Sequence, residues 1–248
     1  MHGAWIFYTI LPSFKYPKPS FKRIARFGSL IGLVIGSFEG VIWFLLKKHG
    51  WDYISLALLV ISIEIILTGG LHFDGLMDTA DGIAAGDKNC SEAMKDSRVG
   101  AIGIQSLIII LFIQVASLAR LGLVAPLALP IANFWGRCSP LWAINSFPYL
   151  NSKGNSSFHR EAWKGSQELI PSLISILAFI SVLKHINIYA FTPLNIYIFT
   201  FIGIIPAVLV PHLIGKHLKG HNGDSYGAST VITTSITLLI FALMFPLN

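Results

Sequence analysis

The sequence predicts an all-α integral membrane protein, a polytopic helical bundle of about seven spans with an acidic hairpin facing the cytoplasm. Three observations carry that prediction. First, 54% of the 248 residues are hydrophobic and only 12% are charged, where a soluble domain carries about 25% charged residues. Second, apolar stretches long enough to cross a bilayer recur along the whole chain. Third, the basic residues fall mostly on one side of those stretches. With the N-terminus inside, thirteen of the eighteen Lys and Arg residues lie in cytoplasmic segments, and Lys47, Lys48, Arg120 and Lys184 lie outside. That is the asymmetry expected of a multi-pass protein of the cytoplasmic (inner) membrane. It also accounts for the net charge of +6 without a nucleic-acid partner. No linker or repeat divides the chain, so residues 1–248 read as one membrane-embedded domain. Cys90 and Cys138 are too few for a disulfide framework and read as free thiols. The apolar start has its basic residues after it and no small-residue cleavage site, so no secretory signal is expected.

The elements follow in order. Gly3 to Phe14 is too short to span and lies at the interface or re-enters. The basic run Lys15, Lys18, Lys22, Arg23 and Arg26 reads as a topology signal. The first span covers about 28–46 and carries Glu39 among small residues, as a partly paired or snorkelling acid. The second, about 53–71, runs into the acidic segment. Its Glu64 lies fourteen residues before Asp78, within about 40° of the same helix face. It is either an outer partner of the acids or satisfied by a neighbouring helix. The third span covers about 101–119 and ends at Arg120.

The next apolar stretch, 121–148, contains Pro126, Pro130 and Pro140, which predict a kinked or broken helix lining a cavity. Asn133 and Arg137 share a face of it at i, i+4. An Arg inside an apolar span implies a functional partner, either phosphate or carboxylate. The polar segment 151–165 reads as a solvated loop, with His159 and Arg160 as minor candidates. Spans at 169–190 and 194–215 follow, and the last is 228–247. Before it, Gly220, Gly223 and Gly227 frame Asn222, Asp224 and Ser225. Such a turn can offer backbone N–H groups to a phosphate, and Asp224 could instead bind a metal or a ribose hydroxyl. His217 and His221 stand at i, i+4, but the missing third ligand argues against zinc.

The chemistry concentrates between Gly69 and Gly103, which hold six of the twelve acidic residues. Asp74, Asp78 and Asp81 stand at i, i+4 and i+7, on one face of a helix. Three carboxylates so placed repel each other unless a cation sits among them. Oxygen ligands favour Mg²⁺ or Mn²⁺ over zinc. Gly75 and Gly82 remove bulk beside the acids, so that a backbone or a phosphate can approach. Asp87, Lys88 and Asn89 read as a turn. A second short helix, Ser91 to Arg98, then brings Asp96 back as a fourth ligand, with Lys95 and Arg98 beside it. Acids for metal and bases for phosphate suit a phosphoryl or nucleotidyl substrate.

At these residues the chain resembles a known family. HFDGLMDTADG followed by MKDSRVGAIG, and GHNGDSYGAS at 220–229, are similar to the signatures of cobalamin synthase, the adenosylcobinamide-GDP ribazoletransferases. The order and separation of the motifs fit over nearly the whole chain. The resemblance implies transfer of the adenosylcobinamide-phosphate moiety from adenosylcobinamide-GDP to α-ribazole or its 5′-phosphate, releasing GMP. It implies catalytic and metal-binding roles for Asp74, Asp78, Asp81 and Asp96. Substrate contacts would come from His72, Lys95, Arg98, Asn133, Arg137, Asn222, Gly223 and Asp224. Two features depart from the family pattern. Ile10 stands before Leu11-Pro12 where the family usually carries an Arg, and 151–165 lacks the family's Gly and Arg. The lower base, the phosphorylation of the acceptor and the oligomeric state stay open. Of the rivals, a CDP-alcohol phosphotransferase needs D-x-x-D-G-x-x-A-R, which is absent. A divalent-cation transporter would spread its acids along several spans.

Overall fold

The computed structural model describes residues 1–13, 16, 18–150, 156–185 and 193–245. Among them, regular structure is helical apart from one bridge between Tyr149 and His221. The helices are α1 (His2–Tyr8), α2 (Gly28–Lys48), α3 (Tyr53–Leu67), α4 (Leu71–Ala84), α5 (Cys90–Ala93), α6 (Ala101–Leu121) and α7 (Ala125–Ser146). They continue with α8 (Phe158–Glu161), α9 (Ile170–His185), α10 (Pro193–Phe201), α11 (Ile204–Leu218) and α12 (Gly223–Met244).

Five helical stretches among the described residues are long and apolar enough to cross a membrane, or six if α3 and α4 count as one bent span. One stretch, 101–146, joins α6 and α7 through a 3-10 turn at Gly122–Val124. Its halves run in opposite directions beside α12. Gln114 donates to Ser235 at 2.9 Å and Arg120 Nε to the Ala242 carbonyl at 3.0 Å, so α6 runs parallel to α12. Ala132 meets Thr234 and Gly136 meets the Thr230 carbonyl, so α7 runs against it. The sequence reading of about seven counted these halves separately and took 53–71 as a full span.

That second span is shorter than expected. α3 has 15 residues, and the chain then turns by 90° into α4. Gly69 and Gly70 make the turn with φ of 61° and 72°, a left-handed conformation that costs glycine little. We therefore read α4 as lying across the ends of the spans and outside the spanning segments.

Helix α7 is the centre of the bundle. Gly32, Gly36 and Gly40 recur every fourth residue on α2, and a Cβ at each would strike the α7 backbone at Asn133, Pro130 and Pro126. Small residues at this spacing let two helices meet backbone to backbone where lipid supplies no hydrophobic drive. The expected break in α7 is absent. Pro126 sits in its first turn, and Pro130 and Pro140 lie inside a continuous helix. Pro140 has no N–H for the Gly136 carbonyl, and Ser139 Oγ donates to that carbonyl instead at 2.7 Å. Trp43, Leu56, Leu118, Leu121, Ile131 and Phe241 fill the core around these helices.

The N-terminal basic run does more than mark topology. Arg23 donates to the buried Glu168 at 2.7 Å, and Arg26 lies 3.9 Å from the same carboxylate. Lys15 and Phe14 lie outside the described residues. Helix α1 covers the mouth of the bundle, where Trp5 donates to the Pro12 carbonyl and Tyr8 stacks on His72.

Candidate active site

Helix α4 is tied to three neighbours, each through a feature of its sequence. A Cβ at Gly75 would stand 2.5 Å from the Asp224 carbonyl oxygen, so this glycine admits the start of α12. A Cβ at Gly82 would strike Met94, so it admits the segment after α5. Asp81 accepts from Gly100 N at 2.7 Å and Gly103 N at 2.8 Å. Its carboxylate thus caps the N-terminus of α6, where free N–H groups and the helix dipole favour an anion. Gly100 and Gly103 are glycines because any Cβ there would strike that carboxylate.

The other acids have no such partner. Asp74 is exposed and Asp78 half-buried on the same helix. Asp224 lies in the first turn of α12, where Asn222 donates to it at 2.9 Å. Burial, followed by the charges of Asp74, Asp224 and Asp81, pushes the Asp78 carboxyl up to about 6. Among the described residues, none of Asp74, Asp78 and Asp224 forms an ion pair. Nor do any three His, Cys, Asp or Glu side chains converge closely enough to chelate an ion as they stand.

The acid whose charge reaches Asp78 from another element is therefore Asp224. Asp96 takes a different place from the expected one. The second helix stops at Ala93, because Asp96 accepts from Arg98 N at 3.0 Å and closes its own turn. Arg98 also grips Asp96 with its guanidinium at 2.6 Å, which holds that carboxyl down at about 2. Both belong to an exposed loop.

A hollow of about 280 Å³ opens beside Asp74 and Asp224. His72, Arg137, Tyr8, Tyr226, Ser156 and His159 also line it. Arg137 is 3% exposed. It donates to Asn133, and at 3.3 Å to Glu64 of α3, while Asn133 donates to Glu39 of α2 at 3.1 Å. The Arg of the apolar span thus has carboxylate partners inside the bundle, and its Nε faces no partner. Sequence reasoning left Glu64 open between two roles, and the structure makes it the ion-pair partner of Arg137.

Within 156–163, His159 turns inward, while Arg160 and Glu161 stay exposed as expected of a solvated loop. His159 is buried between Phe7, Phe158 and Tyr226, and burial drops its imidazole to about 4. Arg160 donates to the Ile144 carbonyl at the end of α7, a usual role for a cation at a helix C-terminus. Residues 151–155 lie outside the described residues. Tyr8, Tyr226 and Ser156 were not singled out from the sequence. The one available signal was Tyr226, an aromatic set inside the Gly-rich motif.

That motif is a helix cap. Asn222 and Ser225 exchange side-chain and backbone bonds in a capping box at the start of α12. His221 is buried, and its Nε2–H donates to the Pro211 carbonyl at 2.9 Å, so it is committed to holding the turn. Leu150 N and His221 N bond across the Tyr149–His221 bridge and fix the turn against the end of α7. Lys95 and Asn222 line a different hollow, while Gly223 lines the first.

Fold and site together define a helical membrane protein with surplus carboxylates at the mouth of a hollow, and with a buried Arg in its wall. The chain belongs to the cobalamin-5-phosphate synthase family, whose model matches residues 1–242. It is 49% identical over 247 residues to an adenosylcobinamide-GDP ribazoletransferase of Prochlorococcus marinus (strain MIT 9313), covering 98% of this chain and 95% of that one. It is 33% identical to the enzyme of that name from Trichormus variabilis, covering 96% and 94%. With that of Synechocystis sp. the identity is 34%, over 97% and 92%. No solved structure matches the chain.

Proposed function

We infer that this protein is an adenosylcobinamide-GDP ribazoletransferase working at the water-facing end of its bundle, on the cytoplasmic side of the inner membrane. The observation that carries the site is the surplus of negative charge on Asp74, Asp78 and Asp224, which form no ion pair with a basic side chain among the described residues. Their oxygen donors fit Mg²⁺ or Mn²⁺, and the ion would draw together side chains that now repel. Asp74, Asp78 and Asp224 would hold it, and when bound it would neutralise the donor's pyrophosphate. Asp81 stays at the α6 terminus and fixes the axial position of α4.

The remaining work falls to the chain's own groups. Arg137, on the hollow's wall, offers its guanidinium to non-bridging phosphate oxygens as charge develops. A carboxylate of this set that the metal leaves free would take the proton of the attacking ribose hydroxyl. The bond formed joins that hydroxyl oxygen to the phosphorus bearing cobinamide, and the bond broken releases GMP. Tyr8, His159 and Tyr226 close the hollow with aromatic surface against which a nucleoside can stack.

The experiment is release of GMP from adenosylcobinamide-GDP by the reconstituted protein, with and without ribazole, in Mg²⁺ and then in chelator. GMP release that needs both ribazole and the metal is the expected result. Full activity in chelator removes the metal from the mechanism. GMP release without ribazole makes the enzyme a hydrolase.

A further inference from the structure

A second hollow, of about 240 Å³, opens on the other side of the α11–α12 turn. Lys95, His217 and Lys219 give it basic groups, and Ser91 and Asn222 add a hydroxyl and an amide. Nothing in the site described above uses His217 or Lys219.

The two hollows share a partition. Asn222 lines this one, while Gly223 and Asp224 line the first. Along α4, Asp74 lines the first and Gly82 this one, with Asp78 between them. In-line displacement at phosphorus needs incoming and outgoing groups on opposite sides of the reacting atom. The turn of α4 that carries Asp78, which itself lines neither hollow, stands between the two.

Lys219 is placed at some conformational cost. It ends α11 in the left-handed region, with φ 63° and ψ 24°, where glycine is the least costly residue. Only Arg23 shares that distinction among the described non-glycine residues. Its Nζ donates to Asp87 at 3.1 Å, and both side chains are more than two-thirds exposed. An ion pair so exposed contributes little, so a doubly charged phosphate can replace Asp87. Asp87 lines the same space as Lys95, His217 and Lys219 and is the one acid among its lining residues, so the hollow favours an anion once that pair opens.

We propose that this hollow seats the phosphate of a nucleoside 5′-monophosphate during the transfer. The proposal rests on the transferase reading, which supplies two sources of that chemistry: the leaving GMP and a 5′-phosphorylated acceptor.

Calorimetric binding to the full-length protein in nanodiscs tests it, with GMP, ribazole 5′-phosphate and unphosphorylated ribazole as probes. Lys219→Gly keeps the left-handed backbone and removes only the cation. It should weaken binding of a phosphorylated probe about tenfold, as loss of a charge-assisted bond does, and leave ribazole unchanged. Asp87→Asn should act in the opposite direction and tighten the same probe, which loss of a merely structural contact would not do. Weakening for GMP alone assigns the hollow to the leaving group, and weakening for ribazole 5′-phosphate alone assigns it to the acceptor. A change under about twofold for both probes in Lys219→Gly overturns the proposal, as does weaker binding in Asp87→Asn. If the binding pattern holds but the wild type releases no GMP, the hollow stands and the transferase reading falls. Wild-type turnover with unaltered binding in Lys219→Gly is the converse.

Discussion

Two sets of acids in this molecule meet opposite fates. Glu39 and Glu64 lie within the bundle, and Arg137 with Asn133 ties them into one buried network across α2, α3 and α7. Asp74, Asp78 and Asp224 lie at its end, close enough for the charges of Asp74 and Asp224 to act on Asp78, and none of them forms an ion pair among the described residues. Inside the bundle a bare carboxylate is costly, and there Glu64 meets the Arg137 guanidinium while Glu39 meets the Asn133 amide. At the water-facing end the repulsion is tolerable and can be left for an ion to relieve. Glu64 thus has a cation of the protein beside it, and among the described residues Asp74, Asp78 and Asp224 have none.

The largest test attacks the internal pair. Arg137→Met should destabilise the protein by about 3–5 kcal/mol, because it strands Glu64 without its partner. The double variant Arg137→Met, Glu64→Gln should recover most of that loss in thermal unfolding while GMP release stays low. Recovery of turnover along with stability would make Arg137 a packing residue only.

The next test attacks the unpaired set. Asp78→Asn should cut GMP release at least about a hundredfold and yet raise the unfolding midpoint of the metal-free protein at pH 7. The sign follows from its carboxyl, which titrates at about 6 in the fold and ordinarily at 3.8. A raised value means a stabilising contribution that is complete below pH 3.8 and lost as the pH rises through 6. Asparagine stays uncharged and does not lose it. A midpoint that falls would show that Asp78 has a partner of its own.

The smallest effect separates Asp81 from its neighbours. Asp81→Asn leaves one amide of the α6 terminus without a charged acceptor, a loss of about 1–2 kcal/mol. Turnover should fall far less than for Asp78→Asn. An equal fall would return Asp81 to the ion's ligands.

Much of α4 was legible from the sequence. The spacing of its acids placed them on one helix, and Gly75 and Gly82 do admit neighbouring elements as expected. What could not be read were bonds between distant segments. Asp81 is taken up by amides 19 and 22 residues later, and no local pattern announces a cap supplied from another helix. Asp96 looked helical by spacing, yet its own side chain closes a turn with Arg98. The Glu64–Arg137 pair spans 73 residues and follows from α3 and α7 both packing on α2. The inward turn of His159 was hidden because the composition of 156–163 is that of a solvated loop, and burial of His159 depends on Phe7 and Tyr226 from opposite ends of the chain.

The right-angle turn from α3 into α4 also limits what the enzyme can inspect. It sets the acids of α4 on a ledge beside a hollow of about 280 Å³, which can take phosphates and a nucleoside but not a tetrapyrrole. On the proposed function a donor of that kind would be held by its phosphate and nucleoside tail, and such a grip would read the tether and the sugar rather than the macrocycle.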